Sequence, residues 1–509
     1  MKKIISIILC ACLLFSFPIG ASAQEDISKE KTQSNQAQSV TPVIVVPGIG
    51  SSALYLNPNS ENEASPINID KSFIKLLRKT HLVKSTLSAC FGRKIDTNAY
   101  IDSLAQIIKP FTSLGCDDNG QPRESIGINC FWEDSLANHT DYLDSRSTAE
   151  PAVCKGICDK IGAENVYLFN YDFRLDVVDY AVMLNDYIDN VKKEKNTDKV
   201  TLVSASLGTC VVSAYIDMYK DKNDIEKAVF LDGAFQGVSM TRLYQKDLYL
   251  DYGVVMAFIS ALGECYKGDA VDFASINTWI NRFDSVAKNA VELIKELANE
   301  ENIDRLYSEV VLPIVGNMPS LWECIPYDNF DDCVKAMTDI GFLKADSGLY
   351  QKITRYHEIQ GRLKDNLLEL KDKGCEIAIV CGYGFPGMPC TSEYTNTTDM
   401  LIDTCYSSVG ALTAAYGEEI KISAIDEKYL SADNMIYSKA CLLPEQTWFC
   451  KYVQHMEFVY GTDVNKFVSE LATTDRELNI DSIEELTGYR QFTAVDNQYK
   501  LVNVDESNI

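Results

Sequence analysis

Lys199-Val200-Thr201-Leu202-Val203-Ser204-Ala205-Ser206-Leu207-Gly208-Thr209-Cys210 is the stretch on which the reading of the fold turns. Its first half is a short β-branched and apolar run, the pattern of a buried strand, and small residues then lead into a helix-period series at Val211, Val212, Tyr215 and Met218. A strand that becomes a helix within about four residues must pass through a turn that lifts its central side chain outward, and small neighbours two positions away let the backbone close. The central residue is Ser206, and the pattern Ser204-x-Ser206-x-Gly208 reads as a nucleophile elbow with serine where glycine is usual. Taken alone it also fits an ordinary turn of small residues, so partners for the serine must be sought elsewhere in the chain.

Outward from this stretch, other strands fall into line. Pro42-Val43-Ile44-Val45-Val46 is a buried strand closed by Pro47-Gly48-Ile49-Gly50-Ser51-Ser52, a loop that leaves backbone N–H groups free at its carboxyl end. No Gly-Lys-Ser/Thr follows it, which argues against a phosphate cradle. Asn165 to Phe169 is a strand, Val177, Val178, Ala181, Leu184, Ile188 and Val191 trace one helical face, and Lys227 to Ala234 and Glu376 to Gly384 are further strands. Glu419-Ile420-Lys421-Ile422 reads as the last strand. Strand and helix in alternation predict an α/β fold with a mostly parallel, doubly wound sheet, whose chemistry collects at the carboxyl edge where Ile49, Arg174, Ser206 and Gly233 fall.

The 509 residues suffice for two or three average domains or for one large α/β unit with insertions. Met1-Lys2-Lys3, an apolar run from Ile4 to Phe17 and Ala21-Ser22-Ala23 compose a secretory signal peptide over 1–23, followed by a polar, disordered lead-in at 24–40. The core is expected in 41–52, 151–237 and 373–475, interrupted by an inserted subdomain at 53–150 and a helical cap or lid at 238–372, with a polar C-terminal segment at 476–509. Within the cap, Leu248 to Leu262 is apolar enough to be a lid or a lipid-facing element, and equally fits a buried helix. No later run of about eighteen apolar residues exists, so an exported, soluble protein is expected.

Of 17 cysteines, two leave with the signal, and the remaining 15 suit disulfides in an oxidising compartment, with Cys210 the candidate for a buried free thiol. At least one disulfide is expected to staple the inserted subdomain. The net charge of −26 excludes nucleic acid as a partner and leaves apolar groups to make any membrane contact. The four histidines stand far apart, and Cys154 and Cys158 have no further ligands near them, so neither metal nor other cofactor is expected.

A serine hydroxyl needs a base, and the base an orienting acid. In sheets of this kind the three occur in the order serine, acid, histidine. His81 and His139 precede Ser206 and His357 precedes the strand at 376–381, which leaves His455 as base. The acid belongs in the loop after that strand, where Asp399 is preferred and Asp403 is its rival; Asp426 and Asp433 lie further on.

Pro47-Gly48, Tyr171-Asp172-Phe173-Arg174, the Ser206 elbow, Gly233-Ala234-Phe235-Gln236-Gly237, Asp399 and Pro444-Glu445-x-Thr447-Trp448 before His455 follow one another in an order that resembles the lecithin:cholesterol acyltransferase and lysosomal phospholipase A2 family, especially its bacterial lipase-like members. The resemblance runs in patches from about residue 42 to 460. It implies an α/β-hydrolase fold, a membrane-contacting subdomain, a lid, and hydrolysis of acyl esters of lipids or transfer of the acyl group to an alcohol. It further implies Ser206 as nucleophile, Asp399 as acid, His455 as base, the N–H groups of Ile49 and Leu207 as oxyanion donors, and Cys90 with Cys116 as a disulfide. Asp172 and Arg174 are expected to anchor the structure near the site. Ser204 and Ala205 depart from the family pattern, as does Met400, which stands where glycine usually follows the acid and opens the acid's place to Asp403. Two other classes fit the same residues, a non-catalytic binding protein on this scaffold and a soluble esterase without lipid preference.

Overall fold

The computed structural model describes residues 40–50, 52–67, 75–76, 79–80, 82–143, 150–246, 251–253, 255–256, 284–388, 391, 395–421, 426–455, 463–496 and 500–504. The expected signal peptide, the expected lead-in up to residue 39, most of the proposed lid stretch, and His81 lie outside these residues.

Among the described residues, eight strands form the central sheet: β1 (Val43–Val46), β2 (Val166–Leu168), β3 (Val200–Ala205), β4 (Ile225–Leu231), β5 (Glu376–Tyr383), β6 (Thr447–Lys451), β7 (Phe492–Val495) and β8 (Leu501–Asn503). Their order across the sheet is β8-β7-β6-β5-β4-β3-β1-β2. Every neighbouring pair is parallel except the antiparallel β7–β8 pair at one edge. Strands buried on both faces need no polar alternation, and Val43-Ile44-Val45-Val46 has none. The two faces serve two cores instead. Ile44 and Val46 join Leu202, Phe230, Ile377 and Ile379 on one side, while Val43 and Val45 join Val203, Val229, Leu231 and Val380 on the other.

On the first face lie α4 (Val177–Lys195), α5 (Gly208–Tyr219), α7 (Gly348–Gly361) and α8 (Leu363–Asp372), and on the second α3 (Glu150–Ile161) and α9 (Asp463–Thr473). α4 shows why such helices start and stop where they do. The Asp176 side chain accepts the Val178 N–H at 2.8 Å, Asn196 closes the other end in the left-handed conformation, and Lys192, Lys193 and Lys195 occupy the last turn, where they oppose the negative end of the dipole.

Residues 53–150 carry α1 (Leu82–Cys90) and α2 (Thr97–Ile108), and residues 238–372, the expected cap, carry α6 (Asp284–Leu297). These are not separate outworks, because Leu82, Ala89, Ile101 and Leu104 share one apolar cluster with Leu293, Leu297 and Val310. A second cap cluster gathers Tyr244, Tyr307, Trp322, Phe330 and Met337. No helix among the described residues is long and apolar enough to cross a membrane.

Three expectations are corrected. Glu419 to Lys421 is not a strand, and the polar C-terminal segment beyond 475 supplies β7 and β8 to the central sheet. Phe492-Thr493-Ala494-Val495 is short and flanked by polar residues, which hides it from a search for apolar runs. Cys90 and Cys116 are separate thiols, so that disulfide staple is absent. Cys90 ends α1, its carbonyl taking the Asn289 amide, whereas Cys116 is buried beside the Asp172–Arg174 pair, where desolvation pushes its thiol up to about 12.

Candidate active site

The turn after β3 is as tight as its small residues imply. Ser206 has φ +52°, a left-handed conformation that costs a non-glycine residue roughly 1–2 kcal/mol. It is held there from both sides: its N–H donates to the Leu231 carbonyl at 3.0 Å, and its own carbonyl accepts from Thr209 N–H at 3.0 Å and Ala234 N–H at 3.2 Å. Gly208 makes the turn possible, because a Cβ there would lie 2.3 Å from the Val46 carbonyl oxygen. Ser204, the departure from glycine two residues before Ser206, sits within β3 paired to Val46 and Phe230, and its buried hydroxyl finds no partner among the described residues. The strand accommodates its Cβ without opening the turn.

From more than two hundred positions away, His455 arrives after β6. Its Nε2 stands 2.9 Å from Ser206 Oγ, and its Nδ1 stands 2.7 Å from Asp399 Oδ2. A carboxylate accepts and does not donate, so Nδ1 carries the proton and Nε2 offers its lone pair to the serine hydroxyl. The backbone fixes the same pairing, with His455 N–H donating to the Asp399 carbonyl at 2.8 Å. The second oxygen of Asp399 accepts the N–H groups of Leu401 at 2.9 Å and Ile402 at 2.6 Å, which pins the carboxylate in the loop after β5.

Asp403, the rival acid, is occupied elsewhere. One of its oxygens accepts the Asn396 amide at 2.7 Å and the other the Ser239 N–H at 2.9 Å, tying the acid loop to the start of the cap, and burial raises its carboxyl above the ordinary value. Met400 adopts φ +83° and gives its N–H to Thr398 Oγ1 at 2.8 Å. The conformation suited to glycine is therefore adopted with methionine in it.

Ile49 and Leu207 flank the serine at the carboxyl edge of β1 and β3, and neither N–H has an acceptor among the described residues. Such free donors beside a serine hydroxyl can receive a negative oxygen. Asp172 and Arg174 form a buried bidentate pair, with Nε to Oδ1 at 2.9 Å and Nη2 to Oδ2 at 2.6 Å. Arg174 also donates to the carbonyls of Leu114 at 2.8 Å and Ile126 at 2.9 Å, so it fastens the inserted residues to the core and does not face the serine. The other described histidines are engaged away from the site, His139 with Asp134 and Trp132, and His357 between Tyr327 and Phe330.

One member of the cluster has no counterpart in the motifs. Asp232, at the end of β4, brings a carboxyl oxygen to within 4.8 Å of one from Asp399 and of a ring nitrogen of His455. Two carboxyls and an imidazole are a plausible ligand set on residue type alone, but the 2.7 Å contact between His455 and Asp399 is that of a donor and an acceptor sharing a proton, which a metal on Nδ1 would displace. An acidic residue closing an otherwise apolar run, Val229-Phe230-Leu231-Asp232, next to the serine's strand is the signal that could have found it.

No protein-family model matches the chain, and no curated protein matches it. Among solved structures, the crystal structure of the Tle4-Tli4 complex is similar with a TM-score of 0.34 and 11% identity, over 85% of this chain and 97% of that one. A likeness of that size carries no argument about fold or function.

Proposed function

We propose that this protein is a serine-dependent acyl-ester hydrolase or O-acyltransferase of α/β-hydrolase type that works through an acyl-enzyme. The single observation that carries the reading is the unbroken line from Ser206 Oγ through both ring nitrogens of His455 to Asp399, 2.9 Å and then 2.7 Å. Ser206 Oγ attacks the ester carbonyl while its proton passes to His455 Nε2, and Asp399 stabilises the imidazolium. The carbonyl oxygen, now negative, takes hydrogen bonds from the Ile49 and Leu207 N–H groups, each worth roughly 3 kcal/mol in a site shielded from water. The intermediate collapses, the ester C–O bond breaks, and His455 returns the proton to the departing alcohol. Water or a second alcohol then gives its proton to His455 and attacks the acyl-serine, and as the acyl–Oγ bond breaks His455 returns that proton to Ser206 Oγ, releasing the acid or a new ester.

Lipid esters are the proposed substrates, and the resemblance to the lecithin:cholesterol acyltransferase and lysosomal phospholipase A2 family is one support. The protein's negative charge offers anionic bilayers no attraction, so any lipid contact would fall to apolar groups. The N-terminal pattern over 1–23 supports export.

Mass spectrometry of a mixed lipid extract incubated with the purified protein tests this. Released fatty acids or transferred acyl chains are expected from wild type and not from Ser206→Ala. A rate on short-chain esters that stays flat as they pass into micelles, with no lipid product, would replace lipid by soluble esters as the substrate class.

A further inference from the structure

The mechanism uses three side chains, yet the cluster holds a fourth. Asp232 ends β4 with φ +41°, a conformation that non-glycine residues rarely adopt, and its N–H is bonded to the Val380 carbonyl of β5 at 2.9 Å. The strained backbone turns the carboxyl inward to a position only 1% exposed. Oδ1 accepts the Gly382 N–H at 2.6 Å, while Oδ2 is buried and unpartnered among the described residues. Gly382 is what lets the two acids meet, since a Cβ there would stand 2.8 Å from the Asp399 Cβ and 3.5 Å from Asp232 Oδ1.

Among the described residues, the groups that face Asp232 are few. Asp399 comes from the loop after β5, His455 from the turn after β6, and Cys381 from β5 itself, its buried thiol pushed up and so neutral. Among the described residues no lysine or arginine makes an ion pair with it. Two carboxylates cannot both stay ionised in a buried space with one imidazole between them and water. Asp399 already accepts two backbone N–H groups and His455 Nδ1–H, so its oxygens are engaged as acceptors. Asp232 receives one N–H, and burial first and the Asp399 charge second raise its carboxyl well above the ordinary value.

We propose that Asp232 is a positioning residue of the same site: it holds a proton on Oδ2 and donates it toward the Asp399 carboxylate, so that a pair of acids carrying one proton and one negative charge orients His455. This rests on the serine-hydrolase reading for its consequence and on the buried geometry alone for its protonation. The donor from Asp232 spreads the Asp399 charge, which restrains how strongly Asp399 holds the imidazolium and keeps His455 able to surrender its proton to the leaving alcohol.

An amide reproduces what the protonated acid does, because asparagine can accept the Gly382 N–H with its oxygen and donate to Asp399 with its nitrogen. Asp232→Asn is therefore expected to lose less than about tenfold in kcat/KM and to keep the acid limb of the pH profile in place. Asp232→Leu, which removes the donor, is expected to move that limb to higher pH by roughly one unit, because an Asp399 with undivided charge stabilises the imidazolium more. If Asp232 were ionised, both variants would remove a negative charge and move the limb to lower pH; that result, or no movement in either variant, overturns the proposal.

Infrared difference spectra of wild type against Asp232→Asn supply a reading independent of turnover and of whether the leucine variant folds. A protonated-carboxyl C=O band that persists at about pH 8, where ordinary carboxyls are ionised, is expected in wild type and not in the variant. Absence of that band from wild type overturns the proposal. A band present in a protein that turns over no ester would instead retain the protonation and sink the hydrolase reading.

Discussion

A Cβ on Gly48 would stand 2.7 Å from the Cβ of Ser206 and 3.2 Å from its hydroxyl, so the loop that leaves the first strand rests directly on the serine. Gly48→Ala must push one of them aside. Since misplacement by about 1 Å can cost on the order of 100-fold in rate, kcat is expected to fall at least that far, while thermal unfolding shows a loss of only about 1–3 kcal/mol. Steady-state kinetics beside a melting curve checks both; a variant with unchanged kcat would mean that the loop does not position the serine.

Asp399→Asn keeps the shape of the acid but offers His455 the wrong hydrogen-bonding partner, and a drop of about 10⁴ in kcat is expected. Asp403→Asn leaves the line through His455 intact and disturbs the contacts to Asn396 and Ser239. Its expected cost is about 1–3 kcal/mol of stability, with kcat held within roughly tenfold. The two variants compared under saturating substrate separate the orienting acid from its neighbour.

Met400 occupies a glycine conformation at φ +83°. Met400→Gly and Met400→Ala lose the same buried contacts but only glycine relieves the backbone, so the glycine variant is expected to be the more stable by about 1 kcal/mol. Denaturant unfolding of the pair measures the difference directly, and equal midpoints would deny strain in the acid loop.

The long apolar runs made the strands through β5 readable from residue types, because a buried parallel strand imposes a composition, and the elbow with the chain order of the histidines picked out Ser206 and His455, which stand 2.9 Å apart. What escaped was set by contacts across the chain. Phe492 to Val495 becomes a strand only because Thr447 to Lys451 lies beside it, and Asp232 ends a strand whose neighbour happens to carry Gly382. The family resemblance implied a disulfide between Cys90 and Cys116, yet both are free thiols, Cys90 at the end of α1 with its carbonyl taking the Asn289 amide and Cys116 beside Asp172 and Arg174. Asp399 and Asp403 could not be separated by spacing, since both lie in one loop and only the direction each carboxyl faces distinguishes them.

Glu323, within the 238–372 segment, lies buried, one oxygen accepting the Val177 N–H at 3.1 Å and the other unpartnered among the described residues, and burial together with the nearby Asp176 raises its carboxyl well above the ordinary 4.5. A carboxyl raised on folding binds its proton more tightly in the folded chain, so its contribution to stability is complete below the unfolded value and is lost as pH rises toward the folded one. Glu323→Gln removes that loss while keeping the acceptor for Val177. The melting temperature of the variant is expected to match wild type near pH 4.5 and to exceed it increasingly toward neutrality; a gap that closes as pH rises would reverse the sign.

Reaction with a fluorophosphonate, followed by peptide mass spectrometry, puts the line from serine to histidine to carboxylate to its most direct trial. Expected is one phosphonyl adduct on Ser206 in wild type, its rate of formation cut severely in His455→Ala and Asp399→Asn. A correctly folded wild-type protein that takes no adduct at Ser206, or takes it as fast without His455, would contradict the assignment.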